Sequence, residues 1–137
     1  MTDGSPVHEK RIEIRWSDLD VYGHVNNAIY LTYLEEVRDE WLGGRLGDPG
    51  EIWNWVLARV EIDYRRELAL PDDVAVATCR LDRVGNSSVT THEEVRSADG
   101  ELVAEARAVL VARDRESGRS RPLTAAERAA FGGMASN

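Results

Sequence analysis

A short polar block, SDLDVYGHVNN, carries most of the side chains in this chain that could do chemistry. Its two aspartates, Asp18 and Asp20, could act as general bases or nucleophiles, and the imidazole of His24 could transfer a proton. Asn26 and Asn27 close the block, and either side chain could cap a following helix. Aspartates in such blocks also bond to nearby backbone amides in ordinary turns. The residue types alone therefore leave two interpretations open, a reactive loop and a structural turn.

Other kinds of reactive centre have little support in the sequence. The three histidines, His8, His24 and His92, lack the spacing of metal ligands, so we predict no metal site. The chain has neither the G-x-S-x-G motif of serine hydrolases nor a glycine-rich phosphate loop. Its one cysteine, Cys79, excludes an internal disulfide framework and a cysteine-built metal site. We expect no cofactor.

The polar block leads into the one long helix that the sequence predicts, over residues 26–42. Apolar side chains recur there at helical spacing, and the charged side chains occupy the other faces. Gly43-Gly44 is predicted to end the helix. The apolar stripe consists of Ile29, Tyr30, Tyr33, Leu34, Val37 and Trp41.

Most of the remaining chain is predicted to form β-strands, with clear alternation over 8–16 and 55–65, weak alternation over 87–97 and mixed faces over 74–84. Short connections favour antiparallel neighbours, and a single antiparallel sheet must bury its apolar face against the helix. One helix is too narrow for five strands, so we expect a homodimer to cover the remaining apolar edge. The predicted strands are 8–16, 55–65, 74–84, 87–97 and 101–113, and a short capped helix is predicted at 124–131.

Length and charge narrow the class of protein. The chain has 137 residues, which suits a single domain over 1–137, with a core at about 8–123 and a C-terminal helix or tail at 124–137. Seventeen basic and 25 acidic residues give a net charge of −8, which disfavours nucleic acid as a partner. No apolar stretch is long enough to span a membrane, and no signal peptide is recognisable. We therefore expect a cytoplasmic protein.

The block from Arg15 to Arg38, RWSDLDVYGHVNNAIYLTYLEEVR, resembles the signature of hotdog-fold acyl-CoA thioesterases of the 4-hydroxybenzoyl-CoA thioesterase-like family. Its matching features are the spaced aspartates, a glycine, a His-Val-Asn-Asn helix start, spaced tyrosines and Glu-Glu-x-Arg. The later segments VEIDYRREL, PDDV and RVGNSSVT follow in the family's usual order. The resemblance covers about residues 9–123. It implies an α+β hotdog fold, in which a five-stranded antiparallel sheet wraps around one long central helix.

The resemblance also implies how the polar block would work. Asp20 would be the general base or nucleophile that attacks a thioester, with His24 beside it in an orienting or proton-transfer role. Amides near Asn26 and Asn27, at the start of the helix, would bind the negative charge on the carbonyl oxygen. Asn26 could instead be a simple helix cap. Asp18 would organise the loop, through Arg15 or Arg38.

Substrate contacts are less closely defined. Gly23 would let the backbone approach the ligand, and Tyr30 and Tyr33 would form either core or the floor of an acyl pocket. Trp53, in a loop, is a further candidate for the acyl pocket. Arginines are the natural partners of coenzyme A phosphates. The candidates are Arg59, Arg65, Arg66, Arg83, Arg113, Arg115, Arg119 and Arg121.

Three functions remain in competition after the resemblance. The first is an acyl-CoA thioesterase, acting as a homodimer or homotetramer. The second is an acyl-carrier-protein thioesterase with the same site, which the negative charge of this chain disfavours because carrier proteins are acidic. The third is a non-catalytic acyl-CoA-binding protein, since a fold does not by itself imply catalysis.

Overall fold

The computed structural model describes residues 6–69 and 72–132 of the chain. The predicted single domain extends over 1–5, 70–71 and 133–137 as well, which lie outside the described residues. The strands are β1 Val7–Glu13, β2 Trp55–Tyr64, β3 Val74–Val84, β4 Ser88–Ser97 and β5 Leu102–Ala112, and the helices are α1 Asn27–Leu46 and α2 Ala125–Ala130. The five strands form one antiparallel sheet in the order β1-β3-β4-β5-β2, and α1 packs on one face of it.

The core lies between α1 and the inner face of the sheet. Every second residue of β4 is buried, and the buried side chains of β5 are mostly alanine, which favours close approach of the two layers. The stripe predicted on the helix is confirmed, since Tyr33, Leu34 and Val37 are fully buried. The predicted architecture, one sheet around one long helix, is the observed one. Within the described residues, no helix is both long and apolar enough to span a membrane.

The path of the chain between β2 and β3 differs from the simple prediction. Sequential strands pair as expected in the β3-β4-β5 meander, whereas β2 pairs with β5 and β1 pairs with β3. The connection after β2 crosses the start of α1, where the Val25 amide donates to the Leu68 carbonyl and His24 forms a bridge with Ala69. This crossing separates β2 from β3 and leaves β1 and β2 at the two edges of the sheet.

Two predicted boundaries were wrong. Strand β1 ends at Glu13 instead of residue 16, because the next residues turn into a 3-10 helix, Trp16–Asp18, and Trp16 is 86% exposed. Helix α1 runs through Gly43 and Gly44 to Leu46 and is capped by Gly47, whose φ of 80° is left-handed. Glycine accommodates that conformation without strain, and the Gly47 amide closes the last turn on the Gly43 carbonyl.

An ion pair joins α1 to the sheet inside the core. Arg38 donates two hydrogen bonds of 2.8 Å to the carboxylate of Glu93, and Thr91 donates a third, of 2.6 Å, to the same group. Glu93 is fully buried and Arg38 is 4% exposed. Burial disfavours the charge of Arg38, but the bonds to Glu93 outweigh that effect and raise the pKa of the guanidinium. The sequence offered Arg38 as one of two partners for Asp18, whereas the structure pairs Arg38 with Glu93.

The C-terminal helix closes the far end of the core. The predicted helix at 124–131 is confirmed as α2, which begins at Thr124 with reciprocal capping by Glu127. Phe131, just after the helix, stacks on Trp41 and meets Trp55 edge to face, with ring centroids 5.8 and 5.7 Å apart. Trp41, Trp55 and Phe131 are therefore part of the core packing.

Candidate active site

Asp18 fixes the loop that precedes α1. It is 4% exposed, and its Oδ2 accepts hydrogen bonds from the Arg15 amide at 2.9 Å and the Tyr33 hydroxyl at 2.7 Å. Its carbonyl oxygen accepts a bond from the Asn26 amide, which ties the two ends of the loop together. Burial and the carboxylate of Asp18 raise the pKa of the Tyr33 hydroxyl, so it stays a donor. Asp18 organises the loop as predicted, through the backbone of Arg15 and not its side chain.

Asp20 lies at the turn of this loop and is half-buried. Its Oδ1 accepts hydrogen bonds from the amides of Tyr22 at 2.9 Å and His24 at 3.2 Å. The Asp20 amide donates to the His24 carbonyl, so the two residues face each other across the loop. In the part of the chain that the structure describes, no partner is recorded for Oδ2. One carboxylate oxygen of Asp20 therefore stabilises the turn, and the other is available to a ligand.

The start of α1 supplies a hydrogen-bond donor beside this loop. Asn26 is the N-cap, and its side chain accepts from the Ala28 amide at 2.9 Å, as the simpler of the two interpretations predicted. The Asn26 amide is already bonded to Asp18. Among the described residues no acceptor is recorded for the Asn27 amide, and Asn27 is exposed. Of the two predicted donors, only Asn27 has its amide available for a ligand.

Gly23 and His24 complete the loop. Gly23 has a φ of 78°, and among the described residues no atom beyond its two chain neighbours lies within 4 Å of the position that a Cβ would take. The turn therefore needs glycine for its backbone conformation, whereas the sequence pointed to close approach of a ligand. The Nδ1 atom of His24 lies 3.2 Å from the carboxylate of Glu67, which comes from the crossing connection after β2. This contact holds the imidazole, while the backbone of His24 bonds to Asp20.

A shallow cleft of about 230 Å³ opens beside the helix start. Tyr30 forms part of its wall while its hydroxyl accepts from the buried Leu68 amide at 2.9 Å. Tyr64, at the end of β2, packs edge to face on Tyr30 and donates to the Asn27 carbonyl at 3.0 Å. Tyr33 is fully buried and belongs to the core. The cleft is lined by Asn27, Tyr30, Tyr64, Arg65, Arg66 and Glu67.

The structure does not bring Trp53 to this cleft. Trp53 belongs to a 3-10 turn, Pro49–Asn54, that follows the C-terminal end of α1, and it is 64% exposed. Strand β2 then runs from there to Tyr64 at the other end of the helix, about 30 Å along the strand. Of the predicted phosphate-binding arginines, Arg65 and Arg66 line the cleft, where they pair with Glu105 and Glu101. Arg121 is held by Glu127 near α2.

Tyr64 and Glu67 are contributors that sequence reasoning missed. Tyr64 was assigned only to the apolar face of a strand, and Glu67 had no assigned role. Both reach the site because β2 ends beside the helix start and the next segment crosses it. The pattern VEIDYRREL contained both residues, but alternation alone does not show which end of a strand meets a helix.

Comparison with known proteins gives one consistent family. Residues 14–131 match the model of the thioesterase-like superfamily. The long-chain acyl-CoA thioesterase FadM of Escherichia coli strain K12 is 32% identical over 111 residues, which cover 77% of this chain and 83% of that protein.

Solved structures agree with the sequence matches. A thioesterase from Thermus thermophilus, solved with coenzyme A and Zn, is 36% identical, with a TM-score of 0.83 over 94% of this chain and 99% of the other. A predicted thioesterase from Bacillus stearothermophilus is 27% identical, with a TM-score of 0.83 over 92% and 94% of the two chains. The fold is thus the hotdog fold that the resemblance implied, and the chain belongs to the thioesterase-like superfamily.

Proposed function

We propose that this thioester hydrolase acts on acyl-CoA thioesters and that Asp20 carries the chemistry. The observation that supports this assignment is the state of its carboxylate. Two backbone amides fix Oδ1, so the side chain has one orientation, and Oδ2 remains without a recorded partner in the described part of the chain. A fixed carboxylate with one available oxygen suits either a general base or a nucleophile.

As a general base, Asp20 would take a proton from water while the water oxygen attacks the thioester carbonyl carbon. As a nucleophile, it would attack that carbon itself, and water would then hydrolyse the resulting anhydride. In both cases negative charge develops on the carbonyl oxygen. The Asn27 amide at the positive end of α1 is our candidate donor to that oxygen. The C–S bond then breaks, and the thiolate of coenzyme A takes up a proton.

The cleft beside the start of α1 could accept an anionic ligand with a ring or chain next to its reactive group. Arg65 and Arg66 contribute guanidinium groups to the cleft beside the helix start, and Tyr30 and Tyr64 contribute aromatic surface. His24, held by Glu67, would orient the loop or assist proton transfer. We place the reaction in the cytoplasm, as the sequence predicts.

We further propose that the enzyme is a homodimer or homotetramer. Strand β2 is an edge strand whose backbone can pair with a second copy. Apolar side chains on and near this edge remain exposed, with Leu57 at 47%, Tyr64 at 45% and Leu31 at 37%. A second copy along β2 would cover them and extend the sheet.

The assignment of Asp20 is tested by thiol release from a panel of aromatic, short-chain and long-chain acyl-CoA esters. The Asp20→Asn variant keeps an oxygen that can accept from Tyr22 and His24, so the turn should persist while the negative charge is lost. We expect the rate on the preferred ester to fall by about 10²- to 10⁴-fold, the usual contribution of a positioned acid–base group.

Asp114 provides a matched control. Its Oδ1 also accepts two backbone amides, those of Glu116 and Ser117, in an exposed turn. Asp114→Asn should leave the rate unchanged. If Asp20→Asn retains wild-type turnover, Asp20 is not the reactive group. If wild type hydrolyses no ester of coenzyme A, the proposed substrate class is wrong, and acyl-carrier-protein esters become the next substrates to assay.

A further inference from the structure

A histidine and two glutamates meet on the outer face of the sheet, outside the Asp20 loop. His92 and Glu94 alternate with buried residues on β4, so they point away from α1, and Glu105 does the same on β5. Glu94 and Glu105 lie directly opposite each other in the β4-β5 register. None of the three forms a recorded hydrogen bond to the loop before α1.

The distances suit shared coordination of one ion. One ligand atom from each of His92, Glu94 and Glu105 lies within 4.8 Å of the other two. In a tetrahedral zinc site with bonds of about 2.0–2.2 Å, ligand atoms are roughly 3.3–3.6 Å apart. Small rotations of two long glutamate side chains can make up this difference. Their side chains are 21% and 30% exposed, so solvent can supply the remaining ligand.

The two carboxylates keep one oxygen each for a cation. Arg96 bonds to Oε1 of Glu94 at 2.9 Å, and Arg65 bonds to Oε1 of Glu105 at 2.6 Å. In the described residues no partner is recorded for either Oε2 atom. The like charges of Glu94 and Glu105, directly opposite on neighbouring strands, repel each other, and a divalent cation between them would attract both carboxylates.

His92 determines which metal ions the cluster would prefer. Its ring forms no recorded hydrogen bond or ion pair with any described residue, so a nitrogen is free to ligate. A cavity of about 140 Å³ lies beside it, and two more carboxylates, those of Glu61 and Asp63, line that cavity together with Glu105. Imidazole with carboxylates favours zinc and related transition metals over magnesium and calcium, which prefer oxygen ligands alone.

We propose that His92, Glu94 and Glu105 form a surface site for a divalent transition-metal ion, with Zn²⁺ as the ion that fits best. The sequence predicted no metal site because His8, His24 and His92 are not spaced as ligands. Two of the three proposed ligands are two residues apart on one strand and the third comes from its neighbour. A search for ligand spacing along the chain does not reveal such a set.

The test is Zn²⁺ titration of the full chain by calorimetry after removal of metals with a chelator. Wild type should bind one Zn²⁺ per chain at this site, and His92→Gln and Glu105→Gln should each weaken that binding at least tenfold. His8→Gln is the matched control, because His8 also lies beside a carboxylate, that of Glu40 at 2.9 Å. It should retain the site. Co²⁺ absorption spectra provide a second measurement, since loss of imidazole changes the visible bands.

The proposal is overturned if wild type binds Zn²⁺ no more tightly than His92→Gln. It is also overturned if Glu105→Gln loses the ion while His92→Gln retains it, because the ion would then follow negative charge alone. Circular dichroism and the melting temperature of each variant show whether the fold persists. All of these readouts are independent of thioester turnover, so their failure would leave the proposed enzyme function standing.

Discussion

The hydrogen bond from Tyr33 to Asp18 links the core of the protein to its candidate catalytic loop. Tyr33→Phe removes only the hydroxyl and leaves the buried carboxylate of Asp18 with the Arg15 amide as its remaining recorded donor. Loss of a bond to a buried charged group costs about 1.5–3 kcal/mol. For a domain of this size that corresponds to a fall in melting temperature of roughly 5–12 °C.

The same variant should impair catalysis well below its melting temperature. Asp18 also holds the Asn26 amide through its carbonyl, so movement of Asp18 shifts the segment that carries Asp20. A displacement of about 1 Å in a reactive group can cost up to 100-fold in rate. We expect kcat to fall more than the affinity for substrate changes, because the cleft beside Tyr64 is left intact. Steady-state kinetics at 25 °C and thermal unfolding measure the two effects.

Stability at high pH distinguishes this bond from simple packing. Burial and the bond to Asp18 raise the pKa of the Tyr33 hydroxyl above its ordinary value near 10. The unfolded chain loses this proton near pH 10 while the folded chain keeps it. The contribution is therefore complete below pH 10 and is lost as the pH rises further. Wild type should lose more stability than Tyr33→Phe between pH 9 and 11.

Tyr30→Phe is the matched control for stability. The Tyr30 hydroxyl is also buried, but it accepts a bond from a neutral amide, that of Leu68. Its loss should cost about 1 kcal/mol, less than the loss at Tyr33. If Tyr33→Phe melts at the wild-type temperature and turns over at the wild-type rate, Tyr33 does not hold the loop through Asp18, and the reasoning is refuted.

Two further predictions concern ion pairs. Arg38→Met leaves Glu93 buried without its cation and should destabilise the fold by about 3–5 kcal/mol, whereas Arg38→Met combined with Glu93→Met should recover most of that loss. Urea unfolding measures both, and a double variant as unstable as the single one would contradict the argument. Near α2, burial opposes the charge of Glu127, but bonds from Arg121 and Thr124 outweigh it and lower the pKa of Glu127. Its stabilising effect is present above the ordinary glutamate pKa and is lost as the pH falls, so Glu127→Gln should cost about 1 kcal/mol at pH 7 and little at pH 3. Thermal unfolding at the two pH values checks this, and an equal cost at both would count against it.

Periodicity predicted α1 and β5 because each of them buries one face against the core. The edge strands β1 and β2 each bury a single residue, Ile12 and Trp55, so the apolar face that alternation predicts for β2 is not buried in the core. The order of the strands in the sheet could not be predicted from periodicity. Strand β2 lies at the far edge because the segment that follows it contacts the start of α1, and no local pattern shows that contact. Trp16 shows the same limit. Alternation in the sequence extends to residue 16, but the strand ends at Glu13, and Trp16 begins a 3-10 helix and is exposed.

The candidate site was predicted in part. Asp20 and His24 bond to each other across one short loop, and Asn27 follows at the start of α1. Trp53 was chosen for its residue type alone, and the structure places it at the opposite end of α1. Tyr64 and Glu67 enter through a long-range contact that no local pattern reports. The burial of Arg38 was likewise hidden, because its partner Glu93 lies in a distant strand.

The order of strands in the sheet has a consequence for folding kinetics. The meander β3-β4-β5 needs only short hairpin turns, whereas Val7 of β1 must find Arg80, and Trp55 of β2 must find Ala112. Closing such long loops is entropically costly, so we expect the meander to form first and the two edge strands to join it later. The loop with Asp20 and all of α1 lie between β1 and β2 in the chain. We therefore expect the candidate catalytic loop to be completed after the meander, so that a partly folded chain would contain a native meander without enzymatic activity.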